Sequence, residues 1–417
     1  VDNYQVINNA HLTANGARTY DIQVTPGASL TLNGTTTTST HLGSGVGLVD
    51  SRATISGSTI TARGTGLSLG YTAANPVGSK ATVTGSNITG GGAGVVVGSL
   101  GELTLIDTNV VATNPNGTGL QLGYGSVSAT GGTIRGDGRG ILFLPTQNNL
   151  GKPGSLVLDG TDVIGDTGSA IVVADLGLAP ILATIDVKNG ATLTGGNGKI
   201  LEVNGLSTVN MTVDNSDLVG DVFADTGATA NLTLQNHATL TGQLNNVNNL
   251  AINSEARWVM VGDGTVTNLE LNGGAVQFGN PGDFYKLTVS TLSGTGGTFS
   301  MHTNFGQIDT LTVTGQATGN HSVAIDDSGA EPVAAGSIPV KVLMLAGDGK
   351  NTVLSEAGPG SVNDFAYSAY GHRSEKQTGS TCLGYNGELK EAHTGCYLLG
   401  NGYRAFSPVL MRLHSPD

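Results

Sequence analysis

Residues 52–70 read RATISGSTITARGTGLSLG. Ala53 and Ile55 alternate with polar residues, Gly57 turns the chain, and Ile60 begins a second apolar run. A third run, GTGLSLG, is opened by Gly64. The same pattern returns as KATVTGSNIT from Lys80, ELTLIDTNVV from Glu102, SVSATGGTIR from Ser126 and SLVLDGTDVI from Ser155, with a looser copy, TIDVKNGATL, from Thr184. The third run recurs as GAGVVVG at Gly92, GTGLQLG at Gly117 and GRGILFL at Gly138. Three short strands separated by turns, repeated at a fixed phase, predict an all-β chain folded as a right-handed parallel β-helix.

The second apolar residue of the first strand marks each coil: Leu32, Ile55, Val83, Leu105, Ala129, Leu158, Val187, Val213, Leu234, Ile252, Leu271, Val289 and Val313, at intervals of 18 to 29 residues. Fixed strands with turns of variable length produce that spread. A helical solenoid would show a 3.6-residue period, whereas these runs alternate with a period of 2. The reading places Leu234 and Leu271 inside. It places Gly125 in an exposed turn where alanine should be tolerated.

The repeat covers most of the 417 residues, so one elongated domain is expected over 1–280, followed by a C-terminal region over 281–417. The 66 glycines fit turns that require positive φ. A formal charge of −13 with 18 Lys and Arg argues against nucleic acid or anionic lipid as a partner. No apolar run reaches 18 residues, so no membrane span is expected in this chain. No signal peptide is read at its start, and Val1 reads either as a mature N-terminus or as the start of an excised piece. Cys382 and Cys396 close a short loop and read as a local disulfide, hence an oxidising compartment, with free thiols as the alternative. The eight histidines lack metal-ligand spacing, so neither a metal nor another cofactor is expected.

Insertions cluster at one phase. TAANPVGS from Thr72, PTQNNLGKPG from Pro145 and DLGLAP from Asp175 all separate a third strand from the next first strand. Equal phase means one side of the stack, so these loops should form a wall, either because that turn tolerates insertion or because it borders a binding groove. Polar rows appear when the coils are aligned. One position before the inward residue of strand two lie Thr59, Asn87, Asn109, Thr133, Asp162, Thr192, Asp217 and Thr239. Three positions after it lie Arg63, Asp137, Asp166 and Asp221. At a coil spacing of about 4.8 Å, Asp137 and Asp166 should be near neighbours that repel. Removing them should then hold or raise the melting temperature. The rows are either a solvated acidic face or acceptors for a ligand. An outward hydroxyl row (Thr31, Thr54, Thr82, Thr104, Ser128, Thr212, Thr233, Thr288) follows from β-propensity and could also pair with its copy on another cell. Asn189, Asn215, Asn236, Asn253 and Asn272 recur at the first turn and read as structural.

After residue 282 the chain carries G-x-F-x-M (Gly297, Phe299, Met301), D-x-L-x-V-x-G (Asp309 to Gly315), G-x-H (Gly319, His321) and D-S-G-x-E-P (Asp327 to Pro332). This stretch resembles the C-terminal passenger region of pertactin-like autotransporters of Gram-negative bacteria. The resemblance implies a passenger exported through the outer membrane to the cell surface or beyond. It also implies C-terminal coils that assist folding. The likeness fades after about Ser361.

DDSGAEP is similar to the G-D-S-G of serine proteases, but no His or Asp stands in a matching setting, and no enzyme is expected. Arg135-Gly136-Asp137 is an integrin-type tripeptide that follows strand two directly, where a mobile loop would be needed. The expected function is that of an adhesin. Its polar, acidic groove would be formed by Asn87, Asn109, Arg135, Asp137, Asp162, Asp166, Asp217 and Asp221 and flanked by the loops. Its partner would be a host extracellular-matrix protein or glycan, fibronectin-like or glycosaminoglycan-like. The alternatives are self-association between passengers, leading to aggregation and biofilm, and a β-helix polysaccharide lyase or hydrolase using Asp137, Asp162 and Asp166 with Lys188 or Arg135.

Overall fold

A computed structural model of the chain describes residues 3–74, 76–145, 153–304, 307–327, 344–347, 352–358, 361–368, 370–373, 381, 383–391, 394–399 and 404–413. Two compact units form: residues 1–261 with 272–277, and residues 262–271 with 278–417.

The first unit is a three-faced β-helix. In the coil that opens the repeat, face 1 is Arg52–Ser56, face 2 is Thr59–Ala62 and face 3 is Thr65–Gly70. Each strand pairs in parallel with its counterpart one coil away. Face 3 alone stacks eleven strands, from Tyr4–Val6 to Leu244–Asn245. The marker residues align without a slip from Leu32 through Ile55, Val83, Leu105, Ala129, Leu158, Val187, Val213 and Leu234 to Ile252. All are 1% exposed or less. Alternation with period 2 therefore puts one side of each face into a thin aliphatic core, and the polar partners point outward.

The turn from face 1 to face 2 is held by the backbone and by a row of hydroxyls. Gly57, Gly85, Asp107, Gly131, Gly160, Asn189, Asn215 and Asn236 take positive φ there. Gly57 and Gly85 donate their N–H to Thr84 O (2.9 Å) and Ile106 O (2.9 Å) of the next coil. Immediately afterwards come Thr35, Ser58, Ser86, Thr108 and Thr161, all buried. Ser58 Oγ accepts from Thr35 N at 3.1 Å, and Ser86 Oγ from Ser58 N at 3.1 Å. Ser58 and Ser86 thus each satisfy a backbone N–H that the turn withdraws from the strand pairing, while Thr35 Oγ1 and Thr161 Oγ1 donate to Ala14 O (2.9 Å) and Gly131 O (3.0 Å). Two Asn residues of this turn bond to carboxylates of the preceding coil and not to the backbone: Asn189 Nδ2 donates to Asp159 Oδ1 (2.9 Å) and Asn236 Nδ2 to Asp214 Oδ1 (3.0 Å).

Gly125 departs from expectation. A Cβ there would lie 2.7 Å from Gly101 O, 2.8 Å from Gly98 O and 3.0 Å from a Val97 methyl. The turn packs against the preceding coil, so alanine must displace backbone. Gly34 is one of the open positions, with φ +56° and nothing within 4 Å of a Cβ.

In the second unit, a 19-residue strand, Lys286–Asn304, pairs in parallel with Thr310–Val313 and with Asn320–Asp327. Val289 lies opposite Val313. The pairing then changes hand: Met344–Gly347, Val353–Gly358 and Ser361–Asp364 are antiparallel. So are Leu389–Lys390, Tyr397–Leu399, Arg404–Ser407 and Arg412–Leu413, which make a small sheet of their own. Cys396 is buried, and Cys382, its expected partner, lies outside the described residues.

Candidate functional site

The β-helix sorts the expected site residues onto two neighbouring edges. Thr59, Asn87, Asn109, Thr133, Asp162 and Thr192 stack in register on the outside of face 2. Asn109 Nδ2 donates to Asn87 Oδ1 at 3.0 Å, and Thr192 Oγ1 donates to Asp162 Oδ1 at 2.5 Å. Asp217 is exposed and stacks on Thr239. Arg135 ends the same face, while Asp137 and Asp166 occupy the corner between faces 2 and 3.

At that corner the expected repulsion is absent. Arg135 Nε donates to both Asp166 oxygens, at 3.0 and 2.9 Å, and the ion pair raises the Arg135 pKa above its ordinary value. Asp137 turns instead to the backbone: its Oδ2 accepts from Asn116 N at 3.0 Å. The two carboxylates therefore have different partners. Stripping them should cost a little stability, contrary to the relief that like charges would give. Asp221 sits one step further on, at the start of the face 3 strand Asp221–Ala224, where its Oδ1 accepts from Gln243 N at 2.8 Å. The Arg135-Gly136-Asp137 tripeptide is built into the stack. Gly136 is buried, a Cβ on it would lie 2.0 Å from Arg139 O, and both charged neighbours are engaged.

The insertions occupy the other edge of face 3. Residues 71–79 join Thr65–Gly70 to Lys80–Thr84, and residues 175–181 join Ile171–Ala174 to Leu182–Lys188. Of the loop at 145–154, residues 146–152 lie outside the described residues. The sequence reading had the wall flank the acidic row; the described insertions instead stand on the far edge of face 3. Face 3 separates the two, with one on each side.

Corner aspartates hold the wall. Asp50, buried and at φ +43°, accepts from Thr72 N (2.6 Å), Thr72 Oγ1 (2.5 Å), Val77 N (2.8 Å) and Gly78 N (2.7 Å). Burial pushes its pKa up, but the hydroxyl of Thr72 and the three N–H donors outweigh that and leave it below 3.8. A carboxylate with a depressed folded-state pKa contributes its full stabilisation above its unfolded-state value and loses it as pH falls through the folded one. Protection of the Val77 and Gly78 amides, relative to their intrinsic exchange rates, should therefore be high at neutral pH and fall only in acid, below the ordinary carboxylate range, as Asp50 is protonated. Asp50→Ala should lower that protection at neutral pH by about tenfold or more, and the difference from wild type should shrink in acid. Unchanged exchange in Asp50→Ala would show that another group holds the loop. Asp175 plays a similar part, accepting from Gly177 N and Leu206 N at 3.0 Å each.

Face 3 carries a group of side chains not singled out by sequence reasoning. Its outward row runs Leu142, Val172, Glu202, Phe223 in register. Ser169 Oγ donates to Glu202 Oε2 at 2.7 Å, and Asn197 Nδ2 donates to Ser169 Oγ at 3.0 Å. Lys199 Nζ lies 3.3 Å from Glu202 Oε1 and 4.4 Å from the Phe223 ring centre. A carboxylate, an ammonium and an aromatic face stand together beside an apolar strip. The available signal was the middle residue of each third strand in KILEVN and DVFA.

Comparison with known proteins bears on what displays this surface. Residues 266–378 match the Pertactin family model. Over 241 residues the chain is 28% identical to the BrkA autotransporter of Bordetella pertussis, covering 55% of this chain and 24% of that protein. It is 31% identical over 223 residues to the autotransporter adhesin/invasin TibA of Escherichia coli O78:H11, covering 46% and 22%. The chain is an autotransporter passenger. The passenger spans about a quarter of the length of those two relatives. Proteins of this class are displayed on the cell surface or secreted through the outer membrane. A third relative, serine protease EspC of Escherichia coli O127:H6, is 32% identical over 108 residues, covering 26% of the passenger and 8% of EspC. The serine-protease-like DDSGAEP of the passenger runs into residues 328–332, outside the described residues. Among the described residues no group of three His, Cys, Asp or Glu could hold a metal, and no helix is long and apolar enough to cross a membrane.

Proposed function

We propose that this passenger is an adhesin that meets a host matrix glycoprotein or glycan across face 3 of its β-helix. The observation that carries the reading is the placement of two features on opposite edges of that face. The insertions at 71–79 and 175–181 stand on one edge, and Arg135, Asp137 and Asp166 on the other. Between them Glu202, Lys199 and Phe223 offer a hydrogen-bonding pair beside an aromatic face, a combination suited to a sugar ring or a peptide side chain. Asn87, Asn109, Asp162 and Asp217 extend the polar surface around face 2, and Asp221 joins it at the start of face 3. The Asp137 and Asp166 carboxylates are engaged in the stack, which favours recognition over acid–base chemistry for the corner.

Self-association is the second reading. It rests on Thr31, Thr54, Thr82 and Thr104, which stack in register on the outside of face 1 and offer a flat hydroxyl surface. Surface display of the passenger and a panel of matrix proteins and glycans separates the two. Glu202→Gln with Phe223→Ala should lower host-ligand binding at least tenfold and leave cell clumping unchanged. Thr54→Lys, Thr82→Lys and Thr104→Lys together should do the reverse. Wild-type binding by the folded face 3 variant would overturn the proposal, and turnover of a polysaccharide or protein in the same panel would replace it with an enzymatic one.

A further inference from the structure

Half of the chain's tyrosines fall in a short stretch near its end: Tyr367, Tyr370, Tyr385, Tyr397 and Tyr403, five of ten. In a chain with 5% aromatic residues such crowding calls for a physical reason. In the second unit, Tyr370, Tyr385, Tyr397, Leu399 and Phe406 line a cavity of about 220 Å³ together with Asn386 and Glu388.

The walls are positioned by backbone. Tyr397 and Phe406 are direct partners across two antiparallel strands. Tyr397 is 1% exposed, and its hydroxyl donates to Gly371 O at 2.9 Å, which fixes the ring. Gly371, at φ +80°, lets Tyr385 lie flat on the chain, since a Cβ would stand 2.6 Å from that ring. Gly384 does the same for Tyr397, where a Cβ would stand 2.8 Å away. Tyr370 remains 51% exposed and forms the rim. Burial raises the pKa of Tyr397, so that wall stays uncharged.

Aromatic faces carry negative electrostatic potential and attract cations, most strongly when water is excluded. The Glu388 carboxylate at the edge adds a full negative charge. A primary ammonium is strongly hydrated and gives up its water reluctantly. A methylated ammonium presents an apolar surface around its charge and loses little on entering such a space. Nearby, Arg373 Cζ already stacks 4.2 Å from the Phe365 ring centre, so this part of the chain uses the same attraction internally.

We propose that this cavity binds a methylated ammonium cation, the group shared by free choline and the phosphatidylcholine headgroup. The test is titration of the full chain with choline and with tetramethylammonium, read by calorimetry and by broadening of the ligand methyl resonances. Both cations should bind saturably, and 3,3-dimethyl-1-butanol, the uncharged isostere of choline, should bind about tenfold more weakly. Tyr370→Ala and Glu388→Gln should each weaken choline about tenfold while the circular dichroism spectrum is unchanged. Tyr370 is exposed and Glu388 half-buried, so neither change touches the buried Tyr397 wall. Flotation with phosphatidylcholine vesicles but not phosphatidylglycerol vesicles would assign the membrane source, and choline binding without flotation would assign the free one. The proposal fails if choline shows no saturable binding up to about 10 mM. It also fails if the uncharged isostere or glucose binds as well as choline, or if both variants bind like wild type.

Discussion

Leu234→Asp is expected to leave the first unit unfolded. Leu234 is fully buried and lies in register between Val213 of one coil and Ile252 of the next. The core there is one side chain deep, and a carboxylate would meet aliphatic neighbours on both sides. Burying a charge without a partner costs more than the roughly 5–15 kcal/mol by which a domain is stable. Refolding yield and far-ultraviolet circular dichroism should show loss of strand structure. Gly34→Ala, at an open positive-φ turn, should cost about 1 kcal/mol. Gly125→Ala should cost more, because backbone oxygens must move. A Leu234→Asp chain that melts like wild type would mean that the inward row has been assigned to the wrong side.

Asp309→Ala should have the next largest effect, confined to the second unit. Asp309 is 2% exposed. Its Oδ1 accepts from Tyr285 N at 2.6 Å; its Oδ2 accepts from His302 N at 2.6 Å and lies 3.0 Å from His302 Nδ1. Alanine would leave three polar groups without their partner in a dry setting. Hydrogen bonds to a charged acceptor contribute about 1.5–3 kcal/mol each and are not additive, so a loss of about 4 kcal/mol is expected. Urea unfolding of the full chain, followed by amide exchange within residues 285–313, should show that segment opening first. Wild-type exchange there would deny Asp309 its role. The aspartate that begins the D-x-L-x-V-x-G pattern is thus a cap that ties three backbone segments together.

The coil register was open to reading because it depends on period alone. Each inward residue from Leu32 to Ile252 is apolar in the same place relative to its turn, and a stack tolerates no slip. The phases of the loops and of the Asn87 and Asp162 row followed from the same count. Which faces those phases border did not, because that needs the order of corners around the coil. Hydrogen bonding was hidden for a related reason. Arg135 and Asp166 are 31 residues apart, and their pairing depends on how far each turn lets a side chain lean. The face 3 surface was obscured by consecutive apolar residues such as Ile141-Leu142-Phe143, which read as one inward run although Leu142 points the other way. The buried hydroxyls after each first turn, Ser58, Ser86 and Thr108, were visible as a repeated Ser or Thr. Their task appears only when the N–H they receive is known.

Among the described residues, the strand pairings of the first unit's faces run to the coil immediately before or after, about 22 residues away for Asn87 and Asn109. Under tension applied at the ends of that unit, no bond is shared by more than two coils, so the load falls on one interface at a time. Rupture should therefore proceed as a series of similar small events, each releasing about 70 Å of chain. The remaining coils would keep their register after each step. A surface protein built in this way yields to shear by paying out length, and rewinds from the intact stack when the pull relaxes.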